Sequence, residues 1–322
     1  MRLSTWMRKA GFGLVALCAA LTPALLSAPA ASAHGASDSG HRTWYVHVGL
    51  ENHDHSIQVM TFSPSELWIN EGDKVVWVTG SAEIHTVTFT STGAPPPQPF
   101  GPTLQQVTRT SSHVFKTGTF FNSGVLANIN PELGPDTPYY HDYALTFPSD
   151  GTFTYYCWVH PMMTGVIHVN EEGVRYPHTQ GWYNGQTAKL RATSLHEGRE
   201  LAERAEENAN NHLVFAGTGN DMVDYMRFIR QEVTIHVGES VTFTNLSFGP
   251  HTVNFGPEVG PPNVAVGNPA SFDGSSPLAS GFLFHEQSYT VTFTKAGDYN
   301  YFCALHDYMG MVGVVHVIGD DD

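Results

Sequence analysis

One motif occurs twice in this chain, and its repetition limits what the chain can fold into. Around Cys157 the residues run Gly151-Thr-Phe-Thr-Tyr-Tyr-Cys157-Trp-Val-His160-Pro-Met-Met163-Thr-Gly165-Val-Ile-His-Val169. Around Cys303 they run Gly297-Asp-Tyr-Asn-Tyr-Phe-Cys303-Ala-Leu-His306-Asp-Tyr-Met-Gly-Met311-Val-Gly313-Val-Val-His-Val317. The flanks match as well. Glu66-Leu-Trp-Ile-Asn-Glu-Gly72 corresponds to Glu232-Val-Thr-Ile-His-Val-Gly238, and His85-Thr-Val-Thr-Phe89 to His251-Thr-Val-Asn-Phe255, both at an offset of 166. Ser123-Gly-Val-Leu126 matches Ser280-Gly-Phe-Leu283 in part. The cysteine motifs lie 146 apart, so the first copy carries 20 more residues between its His and its Cys. Those residues are expected in loops such as 94–101 and 128–141. A duplication of this length means two domains of one fold.

Each copy reads as short strands punctuated by turns. Lys74–Val78, Ser240–Thr244, Phe153–Cys157 and Tyr299–Cys303 are strand-like. Alternation puts Phe153, Tyr155 and Cys157 on one face, and Tyr299, Tyr301 and Cys303 on its equivalent. His, Val and Phe of His-Thr-Val-x-Phe likewise share a face. Both cysteines and both upstream histidines should therefore point inward, toward one end of an antiparallel β-sandwich. Thr187–Asn211 differs, with Leu190, Leu195, Leu201, Ala202 and Ala205 among many charges and no proline. It predicts a polar linker helix weakened by Gly198, with a spacing role. The expected organisation is all-β: domain 1 at 34–172, a mostly helical linker at 173–211, domain 2 at 212–319 and an acidic tail at 320–322.

Residues 1–33 read as an address. Arg2, Arg8 and Lys9 precede an apolar run from Gly11 to Leu26, and Ala31-Ser32-Ala33 is a small-residue cleavage site. This is the pattern of a secretory signal peptide. The run is interrupted by Pro23 and is too short to span a bilayer, and no later segment is long and apolar enough. The expected location is secreted or periplasmic. Cleavage removes three basic residues and no acidic one, taking the net charge from −15 to −18. That charge excludes a nucleic-acid binder, which needs a basic footprint. Cleavage also removes Cys18 and leaves only Cys157 and Cys303. In an oxidising compartment a pair of cysteines ordinarily forms a disulfide. Here each belongs to a separate copy of the motif.

Each copy supplies an upstream His, then Cys-x2-His, then a Met. A thiolate and two imidazoles in a plane, with a weak axial thioether, are the donors that suit copper cycling between its two oxidation states. A lone Cys-x2-His is weak evidence of this. The full set twice over, with matching flanks, is strong. The axial position is open between Met162 and Met163, and between Met309 and Met311. The shared register of Met163-x-Gly165 and Met311-x-Gly313 before the last strand favours Met163 and Met311.

On these motifs the chain resembles the cupredoxins, the blue copper proteins. Cys157-x2-His160-x2-Met163 is similar to the amicyanin branch. Phe243-Thr-Asn245-Leu-Ser-Phe-Gly-Pro250-His251 with Cys303-x2-His306-x4-Met311 is similar to the plastocyanin branch. The resemblance covers roughly 44–170 and 212–318. It implies Greek-key sandwiches with one type 1 copper each. The implied ligands are His85, Cys157, His160 and Met163, and His251, Cys303, His306 and Met311. Asn245 falls where the family has an Asn that ties the ligand loops together, and Thr79 stands there in domain 1.

The resemblance implies one-electron transfer between redox partners, such as a cytochrome or a copper oxidoreductase, rather than an enzyme. The downstream His edge is the family's electron exit. Pro161 and Met162 beside one, and Asp307 and Tyr308 beside the other, lead us to expect that the two sites dock different partners. Two-domain relatives of the nitrite reductase or small laccase type carry a His next to the ligand Cys that links to a second centre. Tyr156 and Phe302 stand there instead. An enzyme with an extra interfacial copper, and a copper storage or delivery protein, remain the alternatives. An additional copper would draw on His53 and His55, on His168 and His316 (at an interface if the chain trimerises), or on His34 at the new N-terminus.

Overall fold

The computed structural model describes residues 40–96, 108–131 and 137–319. The expected leader, His34 and the acidic tail lie outside the described residues, as does most of the proline-rich stretch after Ala94.

An eight-stranded sheet runs, in spatial order, Ser288–Thr292, Ser240–Leu246, Leu213–Gly219, Val223–Ile229, Ile57–Ser63, Thr43–Glu51, Lys74–Thr79 and Asp142–Thr146. The later half of the chain supplies its first four strands and the earlier half its last four. A five-stranded sheet faces the earlier half: Glu66–Asn70, Thr164–Asn170, Gly151–Tyr156, Thr88–Phe89 and Phe121–Asn122. A six-stranded sheet faces the later half: Glu232–His236, Val312–Ile318, Gly297–Phe302, Asn254–Phe255, Leu278–Ser280 and Ala265–Val266. Each half is thus a β-sandwich, as the alternating strands predict. Ser240–Leu246 shows why: Val241, Phe243 and Asn245 are buried, while the residues between them face outward. Each sandwich closes over its own aromatic core. Trp77 meets Phe89 and Tyr155 at centroid distances of 5.8 and 5.3 Å, and Tyr301 meets Phe228 and Phe243 at 4.7 and 5.0 Å.

The two halves join through the large sheet. Val59, Gln58 and Ile57 pair antiparallel with Val223, Asp224 and Tyr225. At the repeat offset of 166, residues 57, 58 and 59 correspond to 223, 224 and 225. Each strand therefore pairs with its own counterpart about the Gln58/Asp224 position. That register defines a local two-fold axis, an isologous joint of the kind found in dimers but built within one chain. A backbone ladder, rather than the linker, sets how the halves meet.

The helix runs Gln180–Glu206, starting seven residues before the expected Thr187. Thr179 caps it, accepting from the Trp182 N–H at 3.2 Å. Gly181 and Gly185 in its first turns conceal that start, because glycine is a poor helix former. The helix is more than a spacer. Leu190, Leu195 and Leu201 pack on Leu50, Ile57, Val59 and Val223, covering one face of the joint. Met60, Ala82, Met226 and Met309 close the other face, with Tyr308 against them.

Gly198 marks the closest approach of helix and sheet. A Cβ there would lie 2.5 Å from Ile57 Cγ2. Gly198→Ala gains ~1 kcal/mol of helix propensity and incurs an overpacking cost of ~1–3 kcal/mol. We expect a net loss of about 1 kcal/mol, and a larger one for Gly198→Leu, both read from thermal unfolding. A raised melting temperature in the Ala variant would contradict the packing seen here.

Candidate metal centre

The structure brings His85, Cys157 and His160 together in one half, and His251, Cys303 and His306 in the other. In the first site Cys157 Sγ lies 3.8 Å from His85 Nδ1 and 3.5 Å from His160 Nδ1, and the two nitrogens are 3.1 Å apart. The second site gives 3.7, 3.5 and 3.0 Å for the same pairs. Both cysteines are free thiols. Three soft and borderline donors converging through the same atoms, twice, fit a thiolate–imidazole copper site.

Local chemistry explains the convergence. Each Cys follows directly on a strand end, at Tyr156 and Phe302. Each turn back closes with Cys157 N–H donating to Met163 O at 2.9 Å, and Cys303 N–H to Met311 O at 3.1 Å. Met163 and Met311 are buried in the same cores as the cysteines, whereas Met162 is 69% exposed and Met309 sits in the joint. The residue after each upstream His serves twice. Thr86 N–H and Thr252 N–H point at Sγ, at 3.4 and 3.3 Å. Their hydroxyls accept from Trp158 N–H and Ala304 N–H, at 2.7 and 2.8 Å. The identical His-Thr-Val of both copies was the signal for this pair, which sequence reasoning passed over.

Outer contacts differ between the sites. Ser81 Oγ lies 3.0 Å from His85 Nε2, leaving Nδ1 to face the site. Asn245 Nδ2 donates to Gly249 O and Leu283 O, both at 2.8 Å, and its Oδ1 accepts from Ser247 N–H at 2.7 Å, which ties the second site's loops together. Thr79 makes a single side-chain bond, to His141 O at 3.2 Å. In the first site the buried Glu51 carboxylate takes over, accepting from Ala82 N–H at 2.9 Å and from Asn128 Nδ2 at 2.6 Å.

The two downstream imidazoles face one another across Glu83, with His160 Nε2 at 3.4 Å from Oε1 and His306 Nε2 at 3.5 Å from Oε2. The half-buried Tyr308 packs into the joint and donates its hydroxyl to Ala82 O at 3.3 Å. A cavity of about 280 Å³, lined by Glu83, His160, Asp224, Met226, Phe282 and His306 among others, opens where the two edges meet.

One carboxylate can support one imidazolium. Burial pushes Glu83 up, but the two neighbouring imidazoles, His306 and His160, outweigh it and the carboxyl stays below its usual range. Burial works against a charged His160 too, yet Cys157 and Glu83 raise it to about 10. Burial then holds His306 down to about 3, despite Glu83 and with help from the neighbouring imidazoles. Cys157 follows its partner, burial being outweighed by His160 so that the thiol sits well below its usual value. Cys303 is pushed up to about 11 by burial.

Burial also raises the Asp224 carboxyl to about 7, against the charge of His160. The unfolded carboxyl titrates near 3.8. Between these values the folded state binds more protons, so stability falls as pH rises from about 4 to about 7 and is level above. In the copper-free protein, Asp224→Asn should be neutral at pH 4 and stabilising at pH 8 by up to ~4 kcal/mol. Urea midpoints at the two pH values check it. An equal effect at both would rule out this linkage.

Of the other histidines proposed for an additional copper, His55, His168 and His316 have partners of their own. His55 Nδ1 lies 2.8 Å from Glu51 Oε2, and His316 Nδ1 2.7 Å from Asp298 Oδ1. His168 stacks on Trp68 with centroids 4.4 Å apart, and His53 is exposed in a turn. Among the described residues, only the two His/Cys/His groups gather donors within reach of one ion.

Residues 215–318 match the model of the copper binding proteins of the plastocyanin/azurin family. Plastocyanin of Ginkgo biloba is 30% identical over 105 residues, 33% of this chain and 97% of the relative. Amicyanin of Paracoccus versutus is 34% identical over 87 residues, 27% of this chain and 56% of the relative. A solved structure of an amicyanin mutant with Cu(I) matches at 27% identity, covering 33% of this chain and 80% of that one with a TM-score of 0.24. The chain belongs to the plastocyanin/azurin family of copper-binding proteins.

Proposed function

We propose that this is an exported blue copper protein that carries single electrons, with one type 1 copper in each of two tandem cupredoxin domains. The observation that carries the reading is the pair of matching donor triangles, each with a buried methionine beside its cysteine. In this reading His85, Cys157, His160 and Met163 hold one copper, and His251, Cys303, His306 and Met311 hold the other. Bound copper supplies a one-electron couple at each site. The chain supplies a buried, hydrogen-bonded frame that moves little when the charge changes, which keeps the barrier to transfer low. The leader pattern supports export. The charge of −18 after cleavage favours partners with a basic face, drawn in by electrostatic steering. The exposed Met162 beside Pro161 offers an apolar contact next to His160.

The cavity at Glu83 favours a second reading, a two-domain copper oxidoreductase, because it gives a small substrate room between both imidazole edges. The test loads the chain lacking residues 1–33 with copper, counts metal, records visible and EPR spectra and assays nitrite and phenol turnover. Two coppers with intense thiolate absorption and no turnover support the carrier. A third copper with turnover supports the enzyme. Readily exchanged copper without a reversible couple indicates storage or delivery.

A further inference from the structure

The two-fold joint repeats the upstream part of each site, and Glu83 departs from that repeat. At the offset of 166, Ser81 corresponds to Ser247 and His85 to His251, but Glu83 corresponds to Gly249. Full symmetry would place two carboxylates in the same buried space near the axis, at a high electrostatic cost. Glycine at the second position leaves Glu83 without a symmetry mate, and Asp224 is the other buried carboxyl lining that cavity. The Glu83 carboxylate, 3% exposed, lies 3.4 Å from His160 Nε2 and 3.5 Å from His306 Nε2. Its backbone is held from both halves. Ala82 N–H is fixed by Glu51, and Ala82 O accepts from Tyr308, a residue 226 positions away.

We propose that Glu83 is the bridge that couples the two metal sites, giving an electron a short internal route between His160 and His306. The inference rests on the reading of both sites as redox coppers. In the step, one electron leaves reduced copper in one site and reduces oxidised copper in the other. No bond forms or breaks, and no proton moves. Physically, tunnelling weakens steeply across empty gaps, and Glu83 replaces one wide gap with two narrow ones. The chain would then act as one two-centre unit rather than two carriers in tandem. Glu83 is a positioning and coupling residue; its carboxylate is not a ligand in either donor triangle.

The test uses the copper-loaded chain, oxidised and then given less than one equivalent of electrons by pulse radiolysis. Cys157→Ser and Cys303→Ser variants supply the reference spectrum of each site. Intramolecular exchange appears as a phase whose rate is independent of protein concentration. We expect that phase in the wild type, slowed at least tenfold in Glu83→Ala. Glu83→Gln keeps the shape but offers a single acceptor oxygen, and should fall between them. In the diamagnetic Cu(I) protein, the imidazole N–H resonances of both His160 and His306 should move in Glu83→Gln, a readout independent of transfer.

Two blue centres with no concentration-independent phase in the wild type would overturn the proposal. So would a rate within twofold of wild type in Glu83→Ala. If Glu83→Ala fails to bind copper, Glu83→Gln decides by the same criterion. A wild type without two blue centres would instead sink the copper reading on which the bridge depends.

Discussion

Cys157→Ser is expected to remove about half of the intense visible absorption of the copper-loaded chain and leave the rest unchanged. Colour of this kind comes from charge transfer between thiolate sulfur and copper, and a hydroxyl cannot supply it. Cys303→Ser should remove the other half, and the double variant should be colourless. The fold should survive, because Ser is close to Cys in size and the facing N–H groups of Thr86 and Thr252 can donate to a hydroxyl as they do to sulfur. Each single variant should also lose one EPR signal, while circular dichroism stays native. If Cys157→Ser leaves the colour intact, the first site is assigned wrongly. The same holds for Cys303→Ser and the second.

The second large effect comes from two glycines that hold no ligand. Gly49 and Gly217 sit at irregularities in the strands Thr43–Glu51 and Leu213–Gly219, with φ of +70° and +79°. A Cβ on Gly49 would lie 2.1 Å from Ser81 Oγ and 2.5 Å from His85 Nε2. On Gly217 it would lie 2.6 Å from both Ser247 Oγ and His251 Nε2. The bulged backbone therefore forms the wall behind each upstream imidazole. An Ala there suffers left-handed strain of ~1–2 kcal/mol and pushes the ring off its position. We expect a destabilisation of ~2–4 kcal/mol and, more telling, loss of copper and colour from the affected site only. Gly93 is the control. Its φ is +74°, and a Cβ there would have open space for 4 Å around it, so Gly93→Ala should show the strain alone and keep both colours. Unaltered spectra in Gly49→Ala and Gly217→Ala would show that the wall is softer than its geometry implies.

Much of each site was legible because its geometry is local. Cys157 and His160 are three residues apart across one turn, and an imidazole–sulfur contact of 3.5 Å follows from that spacing in each copy. The upstream histidines were legible through repetition, since one His-Thr-Val-x-Phe is commonplace and two at a fixed offset are not. Alternation in Ser240–Leu246 and its like was enough for the sandwiches. The helix was legible in its middle and lost at its start, where Gly181 and Gly185 outweighed a Thr179 cap visible only in three dimensions. Gly198 was legible as a weakness, yet it is the contact that lets the helix lie flat on Ile57. Thr79, in the place of the tying Asn, pointed to a different outer shell, and the residue that supplies it, Glu51, comes from a strand with no motif to mark it.

The sequence by itself determined the donors, their duplication and the layered fold that aims them inward, because spacing along a strand or turn is dictated by covalent geometry and side-chain alternation. Only the tertiary structure decided that the two sites face one another. That outcome depends on Ile57–Val59 pairing with Val223–Tyr225, and an edge strand's choice of partner leaves no periodic trace in its residues. Glu83 acquires its place only once that ladder forms. Before then it is one acidic residue in a loop; afterwards it is a buried charge between two imidazoles.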